Sequence, residues 1–335
     1  MICQLCNKKE ADKKNTHYLT DVIIRTCLNQ DGSNGREEGY YVEMSSDSDY
    51  VDPNFQRNTS IEKIEESLGR PLDEEEIEKA KQNPCSVDNV FCSDCEDIFT
   101  DIENQFIQNI LPQFRNKTHS NTTLDIEDSK SIRLFFYLQL WRTHICFEKF
   151  QLKESVAKEL QQIIMNHHNV GLSQIKKYPL SITYLETLGE AKNYTENQIL
   201  REKSENPYFI WMNDFVVQFF DSVSEINFIV LFGINDANTY MDYINYNEES
   251  FKVKIIHNEE RKIVNSKYRE IDACYFLVKQ QERFINCWQN TFGEQPDPTI
   301  VKEYINKIVE GDFHISKYSE ERITKIKSDF IYSKI

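Results

Sequence analysis

Two Cys-x-x-Cys pairs, Cys3/Cys6 and Cys92/Cys95, constrain the fold of this chain more than any other feature. A two-residue spacer lets both sulfurs of a pair reach one tetrahedral ion at about 2.3 Å, and two pairs complete a four-thiolate set. Residues 3 and 95 must then meet, so all that lies between them is an excursion from one knot. Cys27 and Cys85 read as core thiols, either able to substitute as a ligand, and Cys146, Cys274 and Cys287 read as core. A total of nine cysteines is odd, and Met1 leads straight into Cys3 with charged residues close behind, so neither a disulfide framework nor a secretory leader is expected. The reading is a cytoplasmic protein with a structural Zn²⁺. No apolar run is long enough to span a bilayer, so no membrane partner is expected.

With 335 residues the chain exceeds the usual size of one core, which favours a compact zinc domain followed by a larger one. The division read from the sequence is a zinc-binding domain over 1–115 with an acidic insertion at about 31–85, a linker over 116–128 (NKTHSNTTLDIED), and an α+β domain over 129–335. The formal charge of −16 is unevenly spread: residues 31–110 hold 21 Asp and Glu against 6 Lys and Arg, a balance of −15. Such a surface repels phosphates and attracts a basic protein partner.

Helix and strand signals follow apolar spacing. Residues 39–44 (GYYVEM) read as a strand, 45–52 as a solvated loop and 59–68 as an amphipathic helix ended by Gly69. Asp73, with Glu76 three residues on, opens the next helix through a capping box. Ile98, Phe99, Ile102, Phe106, Ile107 and Ile110 continue a helix from the second cysteine pair. Helices are expected at 129–150 and 153–167, then strands at 208–212 and 215–220 joined by the turn Asn213-Asp214. Strands are also expected at 226–232 and 251–257 with a helical stretch between them, and helices at 269–290, 299–309 and 319–331. Runs of strands and runs of helices in separate blocks give an α+β class with a mixed helical and antiparallel-sheet distal domain.

The order of the motifs is a Cys pair, then His17 in Thr16-His17-Tyr18-Leu19, then Asn89 just ahead of Cys92 and Cys95, with a helix following. This order resembles the zinc-stapled HNH, or His-Me finger, nuclease domains. It is also similar to uncharacterised bacterial proteins that open CxLC, continue Ser- or Thr-His with an apolar tail, and later show Cys-x-x-Cys-Glu. Those proteins carry an LF…LxxWR helix, matched here by Leu134-Phe135 and Leu140-Trp141-Arg142. The resemblance covers the first 150 or so residues and implies an endonuclease acting on DNA, with a defence role against phage. It implies His17 as the general base and Asn89 as the residue that orients it. Where that family commonly carries His or Asn after the second pair, this chain has Glu96 and Thr100. Glu96, with Asp97 or Asp101, is the expected ligand set for a catalytic Mg²⁺ or Mn²⁺.

Outside the motif, Arg57 and Arg70 are candidate contacts to a nucleic-acid backbone, set against a reading as ordinary surface. His167-His168 ends a helix and reads as a cap on its dipole. The alternative to the nuclease is a non-catalytic zinc-finger scaffold that binds a protein partner through 31–110.

Overall fold

The computed structural model describes residues 1–28, 40–43, 50, 52–55, 58–81, 83, 85–115, 117–186, 199–202, 206–311 and 317–334. The class is α+β. The chain divides into two compact units, one of residues 1–36 with 82–265, the other of 37–81 with 266–335.

The first unit holds the short strands β1 (Thr16–His17) and β4 (Ser86–Val87), which pair antiparallel. A six-stranded sheet follows, made of β5 (Thr123–Ile126), β6 (Leu180–Leu185), β7 (Ile199–Glu202), β8 (Tyr208–Met212), β9 (Phe215–Phe219) and β10 (Phe251–Ile256), in the order β5-β10-β6-β9-β8-β7. The expected antiparallel sheet is present with one exception, β6 and β10, which run parallel. The helices of this unit are α1 (Asp21–Leu28), α4 (Ser93–Gln105), α5 (Ser129–Cys146), α6 (Glu154–Met165) and the one-turn α7 (Leu172–Ile175).

The expected two-residue turn joins β8 and β9, with Met212 paired to Phe215. Asn213 sits there at φ 57, a left-handed conformation that Asn tolerates better than most residues. Its side-chain amide donates to the carbonyl of Ile23 at 2.8 Å, and Trp211 Nε1 donates to its carbonyl at 2.8 Å, so the turn is tied to α1. Helix α5 is buried on nearly every side from Ser131 to Thr143, packing on both α4 and α6, as a helix without a polar face must. Arg133 inside it is fully buried, and this is tolerable only because its donors are used. They reach Glu248 at 2.8 and 3.1 Å, Tyr137 Oη at 2.9 Å, and the carbonyls of Tyr178 and Asn245 at 2.8 and 2.7 Å. Beyond Gln105, α4 passes into a π turn, Phe106–Ile110, where Phe106 stacks on Phe135 with ring centres 3.8 Å apart.

Three expectations give way here. Residues 226–232 form no strand; Phe228, Val230 and Phe232 are exposed, and among the described residues no strand pairs with this segment. The stretch after them, expected to be helical, contributes only the 3₁₀ turn Tyr240–Tyr243. The segment 116–128, read as a linker, carries β5, which pairs with β10 from Phe251↔Ile126 to Lys254↔Thr123.

The second unit contains the hairpin of β2 (Tyr40–Glu43) and β3 (Asp52–Phe55), the helices α2 (Ile61–Leu68), α3 (Glu74–Ala80), α9 (Pro298–Val309) and α10 (Glu320–Tyr332), and α8 (Asn258–Phe292) from Ser266 onward. Most of the loop expected over 45–52 lies outside the described residues. Helix α2 starts at its Ser60 cap and ends at Gly69 with φ 72, where a Cβ would be strained. Helix α3 has the expected capping box, with Asp73 accepting from Glu76 N at 2.9 Å and Glu76 accepting from Asp73 N at 3.1 Å. The core of this unit is aromatic, with Phe284 stacked on Tyr304 at 4.2 Å and set edge-on to Phe330 at 5.6 Å.

Candidate metal centre

Residues 1–11 fold into a tight loop in which Cys3 N donates to Lys9 O at 2.9 Å, Asn7 N to Cys3 O at 3.0 Å and Ala11 N to Met1 O at 2.8 Å. Asn7 turns the chain at φ 54 directly after Cys6. The second pair stands at the head of α4, where Cys92 is the N-cap and Cys95 N donates to Cys92 O at 3.0 Å. Backbone bonds lace the two pairs together: Gln4 N to Val90 O at 3.1 Å, Lys13 N to Phe91 O at 3.0 Å and Asn89 N to Lys13 O at 2.7 Å.

All four sulfurs lie within 4.8 Å of one another, with Cys6 Sγ 3.9 Å from Cys92 Sγ. A tetrahedron with 2.3 Å metal–sulfur bonds has edges of about 3.8 Å. Cys3, Cys92 and Cys95 are buried and Cys6 is half-buried. This set could hold a metal ion such as zinc. The thiols feel opposing influences. Burial raises Cys6, yet the N–H groups of Lys9 and Lys8 and the thiols of Cys3 and Cys95 outweigh it and bring it down to about 6. Burial pushes Cys95 far up, and its crowding by the sulfurs of Cys92 and Cys3 pushes it further. Four thiols so close cannot all ionise without a counter-charge, and a divalent cation at their centre is the group that such a set suits.

His17 lies on β1 opposite Ser86 of β4, and α4 follows β4 in the chain. His17 is half-buried, and Asn89 is exposed at φ 57 between β4 and α4. Thr16 Oγ1 donates to Glu96 Oε1 at 2.6 Å, fixing β1 on α4. Two turns further along α4, Thr20 Oγ1 donates to Glu103 Oε1 at 2.6 Å, and Arg142 closes an ion pair on the same carboxylate. Trp141 packs against Phe91 and Phe99 at 5.8 and 6.3 Å, so the LxxWR stretch is spent on core and on this pair.

The three carboxylates expected to hold a catalytic cation do not converge. Glu96 is engaged by Thr16, Asp97 is exposed, and Asp101 faces His167, His168 and Gln105. Among the described residues only two clusters combine three or more metal-binding side chains: the four cysteines, and Asp101 with His167 and His168. Arg57 lies outside the described residues. Arg70 belongs to the second unit, where its guanidinium pairs with Glu76 at 2.7 Å and Glu321 at 3.2 Å, which holds it above the ordinary arginine range. His167 does cap its helix, through Nδ1 and Ile164 O at 3.1 Å, but its other nitrogen reaches Asp101, 66 residues away and at no spacing that marks a pair.

No protein-family model, curated protein or solved structure matches this chain. Among the described residues, no helix is long and apolar enough to cross a membrane.

Proposed function

We propose that the four cysteines bind a structural zinc and that the β1–β4–α4 unit they staple is an HNH-like nuclease domain hydrolysing DNA phosphodiesters, with His17 as general base. What supports this reading is one observation: β1 with His17 pairs with β4, from which it is distant in sequence, and β4 leads through Asn89 into α4, with the cysteine cluster at the head of that helix. When bound, zinc supplies a cross-link between the amino-terminal loop and α4. His17 takes the proton of the attacking water, and Asn89 orients the loop that precedes the helix. No step runs through a second ion, because Glu96, Asp97 and Asp101 form no common ligand set. The resemblance carries the reading on to a role in defence against phage.

The test is cleavage of plasmid DNA by the purified chain in magnesium or manganese, compared with His17→Ala at matched zinc content. General-base removal is expected to lower the rate about 10²–10⁴-fold. Cleavage that survives the change overturns the mechanism, and a wild-type chain that never cleaves favours the second reading, a zinc scaffold for a protein partner. The specific observation behind that second reading is the same lack of convergence among the carboxylates, joined to the balance of −15 over residues 31–110.

A further inference from the structure

We propose that Asp101, His167 and His168 form a second metal site, for a divalent transition ion, distinct from the cysteine cluster. Asp101 lies in α4, and the two histidines lie in the turn that ends α6. Asp101 Oδ2 is 2.9 Å from His167 Nε2 and 3.7 Å from His168 Nε2, and the three ligand atoms all lie within 4.8 Å of one another. Tetrahedral ligands about 2.0–2.1 Å from an ion stand roughly 3.3 Å apart, a value that these two separations bracket.

The hydrogen bonds around the cluster are those of a metal site. His167 Nδ1 lies 3.1 Å from the carbonyl of Ile164, which can only accept, so in the neutral ring Nδ1 carries the proton and Nε2 turns its lone pair to Asp101. Two acceptors then face each other at 2.9 Å, which is repulsive unless a positive charge lies between them. A proton on Nε2 would serve His167 alone. His168 turns its own Nε2 to the same oxygen, its ring centre 3.9 Å from that of His167, and a shared ion accounts for both imidazoles at once.

The outer shell is also present. Ligating imidazoles characteristically donate their second N–H to a backbone carbonyl, and ligating carboxylates accept a further bond. His167 does the first, and Gln105 Nε2 supplies the second at 3.1 Å from Asp101 Oδ2. Two imidazoles with one carboxylate suit zinc, cobalt, nickel or copper, and not magnesium or calcium. With the His168 side chain 68% exposed and that of Asp101 41%, an ion enters from solvent and completes its coordination with water. The site would clip α4 to the end of α6.

Cobalt(II) is the probe, added to the full zinc-loaded chain and followed by equilibrium dialysis with elemental analysis and by visible absorption. One further equivalent is expected, without the thiolate-to-cobalt charge-transfer band that exchange into the cysteine cluster would produce. His168→Ala removes an exposed ligand that the fold does not need, and is expected to weaken this binding at least tenfold; Asp101→Asn is expected to do the same. Absence of saturable cobalt binding overturns the proposal, as does binding that His168→Ala leaves unchanged, which would leave His167 and Asp101 as a plain ion pair.

Discussion

Replacing Arg115 by Ala should be among the most damaging single changes in the first unit. Its Nε and terminal nitrogen reach the two oxygens of Asp214 at 2.6 and 2.9 Å, and the remaining donors hold the carbonyls of Val22 and Ile23 at 2.9 and 3.3 Å. The Asp214 side chain is 0% exposed and that of Arg115 only 16%, so removing the guanidinium strands a buried carboxylate and takes one donor from each of two carbonyls of α1, of which Ile23 keeps the Asn213 amide. Breaking a buried pair from one side costs about 3–5 kcal/mol. The unit spans about 220 residues, and at about 2.1 cal/mol/K per residue its unfolding entropy is roughly 0.46 kcal/mol/K. The melting temperature of that unit should therefore fall by roughly 6–11 °C, read by scanning calorimetry and checked by urea titration. Arg115→Lys should recover only part of this, because an ammonium cannot make the two parallel bonds. The double variant Arg115→Met with Asp214→Leu should be less destabilised than Arg115→Ala, since no charge is left unpaired. A loss below about 1 kcal/mol for Arg115→Ala, or a double variant worse than the single, would refute the electrostatic reasoning.

Stripping the metal with a strong chelator should release one tightly held zinc per chain and speed amide hydrogen exchange over residues 1–13 and the first turn of α4, and Cys92→Ser should do the same without chelator; unchanged exchange in the stripped protein would mean that the cysteines staple nothing. His144 is held below the ordinary histidine range by burial, only partly offset by Glu154, and its Nδ1 accepts from Leu152 N at 3.2 Å. A depressed pKa of this kind contributes stability that is fully present above the unfolded value of about 6.5 and is lost as the pH falls from there through the folded value. Urea midpoints of the wild type should drop across that window and those of His144→Leu should drop less; parallel curves would exclude His144 as the source.

What was legible in the sequence was local or covalent in its logic. The cysteine spacing is a statement about one ion, and the Asn213 turn and the Gly69 and Asp73 caps are statements about a few dihedrals, so each survives without tertiary context. What was missed depends on distant partners. Leu180–Leu185 is buried at every position and gives no alternation to notice, whereas 226–232 has the apolar content of a strand but no neighbour to pair with. Thr123–Ile126 is polar enough to pass for a linker and becomes a strand through β10. The cation set that the resemblance implies, Glu96 with Asp97 or Asp101, does not form, because helical rotation turns Glu96 towards Thr16 and Asp101 towards His167.

Between the two paired strands β1 and β4 lies residue range 37–81, which belongs to a different unit from the strands on either side of it, completed only by 266–335. As the chain leaves the ribosome, α2 and α3 emerge almost two hundred residues before the helices that give them a core. Neither unit can be excised by a single cut: stopping at residue 115 would orphan one half of each. Libraries of truncations would therefore misreport which residues matter, and a useful dissection must replace 37–81 by a short bridge and keep both ends of what remains.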